Sequence, residues 1–282
     1  MNVDTLISKL REIEKITNDE WVAGLDDRKK TELEFHDLDR DRSRLASIDQ
    51  DTYERFYGNR KYYGGTGLSK EYLDDWLKAH VKNKIFLDYA CGNGVIAIKA
   101  AKAGAALAIG IDLSSVSVEN AKKDALREGV ADTTFFLQAD AENTKLPDAS
   151  MNVIVCSGVL HHVELSIAFP ELHRILTPGG RIMAIEALDY NPLIKLYRKF
   201  TPAMRTEWEK SHILSLVDVE YAKNYFMIGE IRYWHITSIL YPYIKALLPL
   251  LNYVDNILTK TPLLKLMAWI FTFELIKSET SS

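Results

Sequence analysis

The chain has 282 residues, of which 26% are charged and 47% are hydrophobic. A chain of this length and composition can bury the core of one elaborated globular domain. Its formal net charge is −4 and its isoelectric point is near 6.0, so no overall positive field attracts a phosphate backbone. We therefore expect no nucleic acid partner.

The first residues and the cysteines indicate the compartment. Residues 1–10 lack the basic start and apolar core of a secretion signal, and no window holds the roughly 18 consecutive apolar residues of a membrane-spanning helix. Cys91 and Cys156 are too few for a disulfide framework and lie in apolar surroundings typical of reduced thiols. We predict a cytoplasmic protein that does not span a bilayer.

The segment before the first strand is predicted to be a helical arm. Residues 26–44 carry charges of both signs, and Leu33 and Leu38 have a spacing that a helix can turn to one side. Glycines interrupt this pattern and predict a loop at residues 60–67, and a helix is expected at residues 68–80.

The middle of the chain alternates short apolar runs with helical patterns. Strands are predicted at residues 85–89, 107–111, 134–139, 152–157 and 181–186, with helices between them at 95–103, 115–127 and 166–176 and a turn at 178–180. Such alternation is typical of a parallel sheet flanked by helices, which is a Rossmann-like α/β fold.

The chain after residue 190 has a different pattern. It contains a helical region, a strand, a very apolar stretch and an aromatic run, at residues 192–223, 226–234, 236–264 and 266–276. We interpret the whole as one structural domain with three parts, namely a helical arm and lid at 1–80, a cofactor-binding core at 81–190 and a helical cap with the final strands at 191–282.

The turn after the first predicted strand carries two glycines. Gly92 and Gly94 allow the backbone to approach a ligand that any Cβ would repel, and such turns are where open α/β sheets bind ligands. Asp112 ends the second strand twenty residues after Gly92, where a carboxylate can accept both hydroxyls of a ribose. This combination predicts a nucleoside-containing ligand.

The glycines alone do not distinguish a methyl donor from a nicotinamide dinucleotide. Gly92, Gly94 and Ala97 also satisfy the dinucleotide fingerprint. Asp88, four residues before Gly92, would repel a pyrophosphate but suits the cationic amino group and sulfonium of S-adenosylmethionine. Charge therefore favours S-adenosyl-L-methionine as the cofactor.

Several segments, in their order and spacing, resemble the class I S-adenosylmethionine-dependent methyltransferases, a broad group that includes ubiquinone and menaquinone C-methyltransferases and many natural-product enzymes. The resemblance covers residues 84–187. It rests on residues 87–94, 110–114, 139–142, 146–148, 158–163 and 176–180, which read LDYACGNG, GIDLS, ADAE, LPD, GVLHHV and LTPGG.

The resemblance implies a five-stranded parallel sheet extended by an antiparallel C-terminal hairpin. It places Asp140 at the adenine amino group and Ala141 behind the ring, and it adds Leu113 and Ser157 as further cofactor contacts. In this family the N-terminal arm often closes over the donor. The expected lid residues are Tyr62 and Tyr63.

Two positions depart from the family pattern. Ala90 occupies the usual first glycine of the turn, and it stays among the predicted cofactor contacts because it is small enough to leave the turn intact. Asn152 replaces a frequent aspartate at the start of the fourth strand, which affects only a local capping contact.

Acid and base candidates follow the fourth and fifth strands. His161 and His162 lie where an acceptor is expected and where an imidazole can take a proton, and the candidate bases are His162 and Glu186. Against this role, adjacent side chains rarely both face one site. Packing against the cofactor, or a salt bridge of Glu186, is the alternative interpretation. No metal is expected, since no further ligands have a recognisable spacing.

The apolar stretch at 236–264 is the feature that concerns the acceptor. It either completes the core, forms an apolar cap over the acceptor, or rests peripherally on a membrane. We predict in-line methyl transfer to a hydrophobic small molecule of prenylated, polyketide-like or lipid-linked type. A catalytically silent S-adenosylmethionine-binding module is the alternative, and a nicotinamide enzyme is the third interpretation.

Overall fold

A computed structural model describes residues 2–279 and contains a seven-stranded sheet. The strands are β1 (Ile85–Tyr89), β2 (Leu107–Asp112), β3 (Thr134–Gln138), β4 (Met151–Ser157), β5 (Leu176–Ala187), β6 (Met227–Trp234) and β7 (Ile270–Ile276). Their order across the sheet is β3-β2-β1-β4-β5-β7-β6. The first five pair in parallel, whereas β7 pairs antiparallel with β5 and with β6. The predicted sheet and hairpin are confirmed.

The helices occupy the arm, both faces of the sheet and the cap. The arm contains α1 (Val3–Glu14), α2 (Asn18–Ala23), α3 (Asp27–Arg40), α4 (Arg42–Ser47), α5 (Gln50–Tyr57) and α6 (Gly67–His80). The core contains α7 (Val95–Lys102), α8 (Ser115–Arg127) and α9 (Leu165–Ile175). The cap contains α10 (Pro192–Phe200), α11 (Glu207–Ser211), α12 (Leu216–Ala222) and α13 (Leu248–Leu258).

The sheet is buried on both faces, as parallel strands with continuous apolar runs require. On one face α6, α7 and α8 contribute Trp76, Ile98 and Val118 to a hydrophobic cluster. On the other face α1 and α9 contribute Leu10 and Phe169 to a larger cluster. The edge of the sheet at which β1, β2 and β4 end remains available for a ligand site.

Three sequence predictions differ from the structure. The arm helix is interrupted at Asp41, whose extended backbone and side chain cap α4. The predicted loop at 60–67 is instead helical, because Gly58–Gly65 forms a 3-10 helix. The turn at 178–180 lies within β5, where the pairing with β4 shifts register between Met151 and Val153.

The connection between β6 and β7 is held by a buried carboxylate. Asp255 of α13 is 1% exposed and accepts hydrogen bonds from the backbone N–H and hydroxyl of both Thr237 and Ser238, at 2.6–3.1 Å. These bonds attach α13 to the end of β6. Among the described residues, no helix combines the length and apolar character needed to cross a bilayer.

Candidate functional site

A first cavity of about 120 Å³ lies at the ends of β1 and β2, beneath α3. Five of the residues predicted to bind the cofactor line it, which are Ala90, Asp112, Leu113, Asp140 and Ala141. Helix α3 contributes the opposite wall with Arg28, Lys29, Glu32, Leu33, His36 and Arg40. We call this the donor cavity.

The turn after β1 follows a left-handed path. Ala90, Gly92 and Gly94 have φ values of 57°, 51° and 75°. A Cβ on Gly94 would lie 2.7 Å from both Ala121 and Phe136, so this glycine is required for packing against α8 and β3. A Cβ on Gly92 would instead lie 3.3 Å from the guanidinium of Arg40, which places this cation beside the turn.

The carboxylate of Asp112 is fixed by two backbone donors. Gly92 N–H donates to Oδ2 at 2.8 Å and Ser114 N–H donates to Oδ1 at 2.9 Å. Each carboxylate oxygen keeps further acceptor capacity. Asp112 is therefore held in one orientation at the donor cavity, and its contact with a ribose stays a prediction.

Asp88 does not line the donor cavity, contrary to its predicted contact with the donor. It is 2% exposed and accepts the Ala97 N–H at 3.0 Å, so it caps the first turn of α7. Burial raises the pKa of Asp88 to about 8. Because this carboxyl is largely protonated at neutral pH, its charge does not separate a methyl donor from a dinucleotide.

Ion pairs join α3 to the loop after β3. Lys29 Nζ lies 2.7 Å from Asp140 Oδ2 and 2.8 Å from Glu142 Oε2, and Arg28 Nη2 lies 2.6 Å from Glu142 Oε1. Asp140 also accepts the Glu142 N–H at 2.9 Å. Both oxygens of Asp140 are thus engaged within the protein, and its contact with adenine stays a prediction.

A second cavity of about 400 Å³ lies between the sheet and the cap. Tyr62, Tyr63 and Ser157 line this second cavity, not the donor cavity where the sequence placed them. The Tyr62 and Tyr243 hydroxyls are 3.0 Å apart, and the Tyr63 ring lies 5.0 Å from that of Trp269. The arm does close over the donor cavity, but through α3, because the two tyrosines pack against the cap.

Gly158 lines both cavities, whereas the residues near it in sequence line one cavity or the other. His161 faces the second cavity and His162 faces the donor cavity. Gly158 has φ +64°, and the nearest atom to a Cβ on it would be 4.0 Å away, on His161. The two cavities therefore meet at a residue without a side chain.

His161 forms a buried pair with Glu186. Its Nδ1 lies 2.6 Å from Glu186 Oε2, while Glu186 Oε1 accepts the N–H groups of Val159 and Leu160 at 2.9 and 2.8 Å. Burial lowers the pKa of His161, but the Glu186 carboxylate outweighs this and holds the pKa above its usual value. No described residue bonds Nε2, so this nitrogen can contact a ligand in the second cavity.

His162 is bonded to the arm. Its Nδ1 lies 2.8 Å from Glu32 Oε2, and burial lowers its pKa to about 3, so the neutral ring donates to the carboxylate. With His36 these side chains bring three atoms of metal-ligand type within 4.8 Å of one another. The expectation that no metal binds stays a prediction.

The parallel sheet, the left-handed turn and the acidic strand ends together define a class I methyltransferase fold. Residues 87–184 match a family model described as "Methyltransferase domain". This segment is therefore a class I S-adenosylmethionine-dependent methyltransferase domain.

The curated relatives match over the same core. One is 27-O-demethylrifamycin SV methyltransferase of Amycolatopsis mediterranei, which is 38% identical over 97 residues, or 34% of this chain and 36% of the relative. Another is ribosomal protein L11 methyltransferase of Aliivibrio salmonicida, which is 31% identical over 131 residues, or 44% of this chain and 41% of the relative. The chain thus spans well under half the length of these relatives.

Solved structures match over a larger part of the fold. Geranyl diphosphate C-methyltransferase from Streptomyces coelicolor A3(2) has a TM-score of 0.54 and 17% identity, covering 75% of this chain and 79% of the other. The [4+2]-cyclase SpnF has a TM-score of 0.53 and 16% identity, covering 74% and 81%. At these identities the matches establish the fold alone.

Proposed function

We propose that this chain is an S-adenosylmethionine-dependent methyltransferase that acts on a hydrophobic small molecule by in-line methyl transfer. The observation that carries this proposal is the meeting of two cavities at Gly158. One has the side chains expected around a nucleoside, and the other is mainly apolar. Ligands bound in the two cavities would bring their reacting atoms to the shared wall.

The side chains of the donor cavity suit S-adenosylmethionine. Asp112 offers carboxylate oxygens to the ribose, and Ala141 leaves space for a flat ring. Arg40, beside Gly92, suits the carboxylate of the methionine part. When bound, the donor supplies a methyl group on a cationic sulfonium, which leaves as a neutral thioether.

The larger cavity suits an apolar acceptor. Most of its wall is hydrophobic, with Ile185, Ile194, Ile213, Ile236, Ile239, Leu240, Trp269 and Ile270. A volume of about 400 Å³ lies within the range of small-molecule sites. Two matched proteins are named for small-molecule acceptors, geranyl diphosphate and 27-O-demethylrifamycin SV, which supports this substrate class.

For an acceptor that must lose a proton, we assign the base to His161. The acceptor atom bonds to the methyl carbon as the carbon–sulfur bond breaks, and its proton passes to His161 Nε2. Glu186 holds Nδ1 and stabilises the charged imidazolium, so it is a positioning residue. His162 is bonded to the arm and its low pKa makes it a poor base.

Incubation with radiolabelled donor and a panel of lipophilic acceptors tests this function. We expect label in an apolar product, and no label with Asp112→Ala, which cannot hold the ribose. Asp132→Ala, at an exposed position away from both cavities, is the matched control and should retain activity. Transfer of label only to peptide or nucleic acid would contradict the proposed acceptor class.

Calorimetry, combined with the same acceptor panel, separates the enzyme from a silent binding module. Tight binding of S-adenosylhomocysteine in calorimetry, with no turnover across the panel, would favour the silent module. Binding of a nicotinamide dinucleotide without any response to S-adenosylhomocysteine would instead reject both forms of the proposal.

We also propose that the acceptor is reached from a membrane surface on which the cap rests. Helices α10 and α13 each expose an apolar stripe at positions i, i+3 and i+7, which are Leu193, Leu196 and Phe200 on α10 and Leu250, Tyr253 and Ile257 on α13. Leu193, Leu240 and Tyr243 are exposed and also line the second cavity, so its rim is apolar. Such a surface suits a peripheral contact with lipid.

The charges around these stripes favour an anionic bilayer. Residues 190–206 contain no acidic residue, and in residues 236–264 the single acid, Asp255, is buried. The exposed charges on the two segments are Lys195, Lys199, Lys245 and Lys260. A second copy of the chain would place these lysines against one another, whereas anionic headgroups attract them. We expect sedimentation with vesicles rich in phosphatidylglycerol and little binding to phosphatidylcholine.

A further inference from the structure

Two arginines lie in the wall of the otherwise apolar second cavity. The side chain of Arg198 is 13% exposed and that of Arg205 is 8% exposed. Guanidinium groups are rarely buried to this extent unless their donors are satisfied. Their hydrogen bonds therefore indicate whether the cavity is prepared for a ligand.

Arg198 is poorly satisfied by the protein. Its one hydrogen bond among the described residues runs from Nη1 to Asp189 Oδ1 at 3.4 Å. Asp189 also pairs with Lys195 at 2.9 Å, so its charge is shared. Burial and the neighbouring Arg205 lower the pKa of Arg198 from its ordinary value.

Arg205 is held in place but keeps donors for a ligand. Its Nη1 donates to the Thr201 carbonyl at 3.2 Å, and its Nε lies 3.3 Å from Glu209 Oε1. Burial raises the pKa of Glu209, so this carboxylate is a weakened counter-charge. No described residue accepts a hydrogen bond from Nη2 of Arg205.

This polar group lies near the candidate base. His161, Arg198, Arg205 and Glu209 all line the same cavity, together with the Tyr63 ring. Three cationic side chains, with Lys195 included, share the two carboxylates of Asp189 and Glu209. Within the described cavity wall, Glu186 is already paired with His161, so Glu209 is the remaining carboxylate beside the two guanidinium groups, and burial raises its pKa. The rim at Leu240 and Tyr243 is apolar.

We propose that Arg198 and Arg205 form a subsite for an acidic group of the acceptor, so that the acceptor is an amphiphile with a carboxylate or phosphate at its buried end and an apolar chain toward the rim. This inference rests on the proposed function and specifies its substrate class. Guanidinium forks bind carboxylate and phosphate oxygens through charged hydrogen bonds.

Binding of chain-matched probes tests the subsite without the natural acceptor. Decanoate, decyl phosphate and 1-decanol are titrated below their aggregation limits into the full chain saturated with S-adenosylhomocysteine, and calorimetry records each affinity. We expect both anions to bind at least about tenfold more tightly than the alcohol. Arg198→Gln should remove this preference and leave the affinity for 1-decanol within about twofold.

Two further variants separate recognition from folding. Arg198→Lys keeps the charge but loses the fork, and it should bind the anions with intermediate affinity. Arg11→Gln, at an exposed position on α1, is the matched control and should behave as the wild-type chain. Thermal melting checks that each variant is folded.

Equal affinity for anion and alcohol, an equal loss of both in Arg198→Gln, or no binding of any probe would overturn the subsite. Failure of the methyltransferase function is a separate result. It appears as absent label transfer in the donor assay, whether or not the cavity prefers anions.

Discussion

The two adjacent histidines after β4 have different partners and different acid–base properties. His161 pairs with Glu186 at the acceptor side, and His162 pairs with Glu32 at the donor side. The sequence alone could not assign them, because a turn following a strand has no fixed alternation of side chains. The recognisable signal was the carboxylate at the end of β5, which lies where it can orient the first histidine.

His161→Gln is expected to lower kcat by about a hundredfold for an acceptor that loses a proton, since a general base contributes roughly this much. His162→Gln should keep most of the activity, because its ring is bonded to Glu32. Rates measured between pH 5 and 9, with S-adenosylhomocysteine affinity as the folding control, check both variants. A larger loss in His162→Gln would contradict the assignment of the base.

The burial of Asp88 makes the free energy of unfolding depend on pH. Its pKa is about 8 in the folded chain and near 3.8 in a solvated carboxyl, so the folded chain retains a proton that the unfolded chain releases. The stability from this proton is fully present below about pH 4 and is lost as pH rises through about 8. Between about pH 4 and pH 8, each unit of rising pH lowers the free energy of unfolding by about 1.4 kcal/mol through Asp88.

Asp88→Asn should therefore flatten the decline of the free energy of unfolding between pH 5 and 8. The asparagine oxygen can still accept the Ala97 N–H, so the start of α7 is preserved. Urea unfolding of the ligand-free chain at several pH values measures this slope. Asp132→Asn, at an exposed position, should keep the wild-type slope, and an unchanged slope in Asp88→Asn would contradict burial as the cause.

At the scale of elements, α3 is the part of the arm that covers the donor cavity. Arg28 and Lys29 connect it to Glu142 and Asp140. At the start of α4, Arg42 forms a bidentate pair with Asp124 at 2.9 and 2.5 Å. The covered cavity of about 120 Å³ is smaller than typical ligand sites. We therefore predict that α3 moves outward when the donor enters.

Arg28→Ala combined with Lys29→Ala should loosen α3, because the side chain of Glu142 is 2% exposed and loses its cationic partners. We expect faster hydrogen exchange in α3, unchanged exchange in β1 and β4, and faster dissociation of S-adenosylhomocysteine. Lys122→Ala removes an exposed pair between α8 and α1 and is the control that should change little. Unaltered exchange in α3 would contradict its role as the moving element.

The elements of the core could be predicted from sequence, whereas those of the arm and cap could be predicted only in outline. Strand β1 and helix α8 lie at their predicted bounds because burial and capping by Ser114 are local signals. The break at Asp41 and the 3-10 helix at Gly58–Gly65 depend on contacts with α8 and the cap. Those contacts are distant in sequence.

At the scale of the whole molecule, the arm and the cap meet around the acceptor. Tyr62 and Tyr243 are 181 residues apart in sequence, and their hydroxyls are 3.0 Å apart. No pattern in either segment predicts this pairing, and so the tyrosines were placed over the wrong cavity. The apolar character of residues 236–264 could be predicted from composition, but its division between cavity wall and outer surface required the fold.

Leu196→Ser combined with Phe200→Ser should reduce partitioning onto anionic vesicles about tenfold or more, since both side chains are exposed on α10 and would insert into the lipid interface. Leu126→Ser, which removes a 73% exposed leucine from α8, is the matched control and should leave partitioning unchanged. Flotation with phosphatidylglycerol vesicles measures both. An equal effect of the two changes would contradict a surface located on the cap.

The strand order at the C-terminal edge of the sheet bears on how acceptor specificity changes between related chains. Strand β7 lies between β5 and β6, so the segment from His235 to Trp269 leaves the sheet and returns to it on adjacent strands, with the His235 carbonyl accepting the Trp269 N–H at 3.1 Å. We predict that a segment anchored in this way can be exchanged between homologous chains. Chimeras that swap it would inherit a different acceptor preference while keeping the same affinity for the donor.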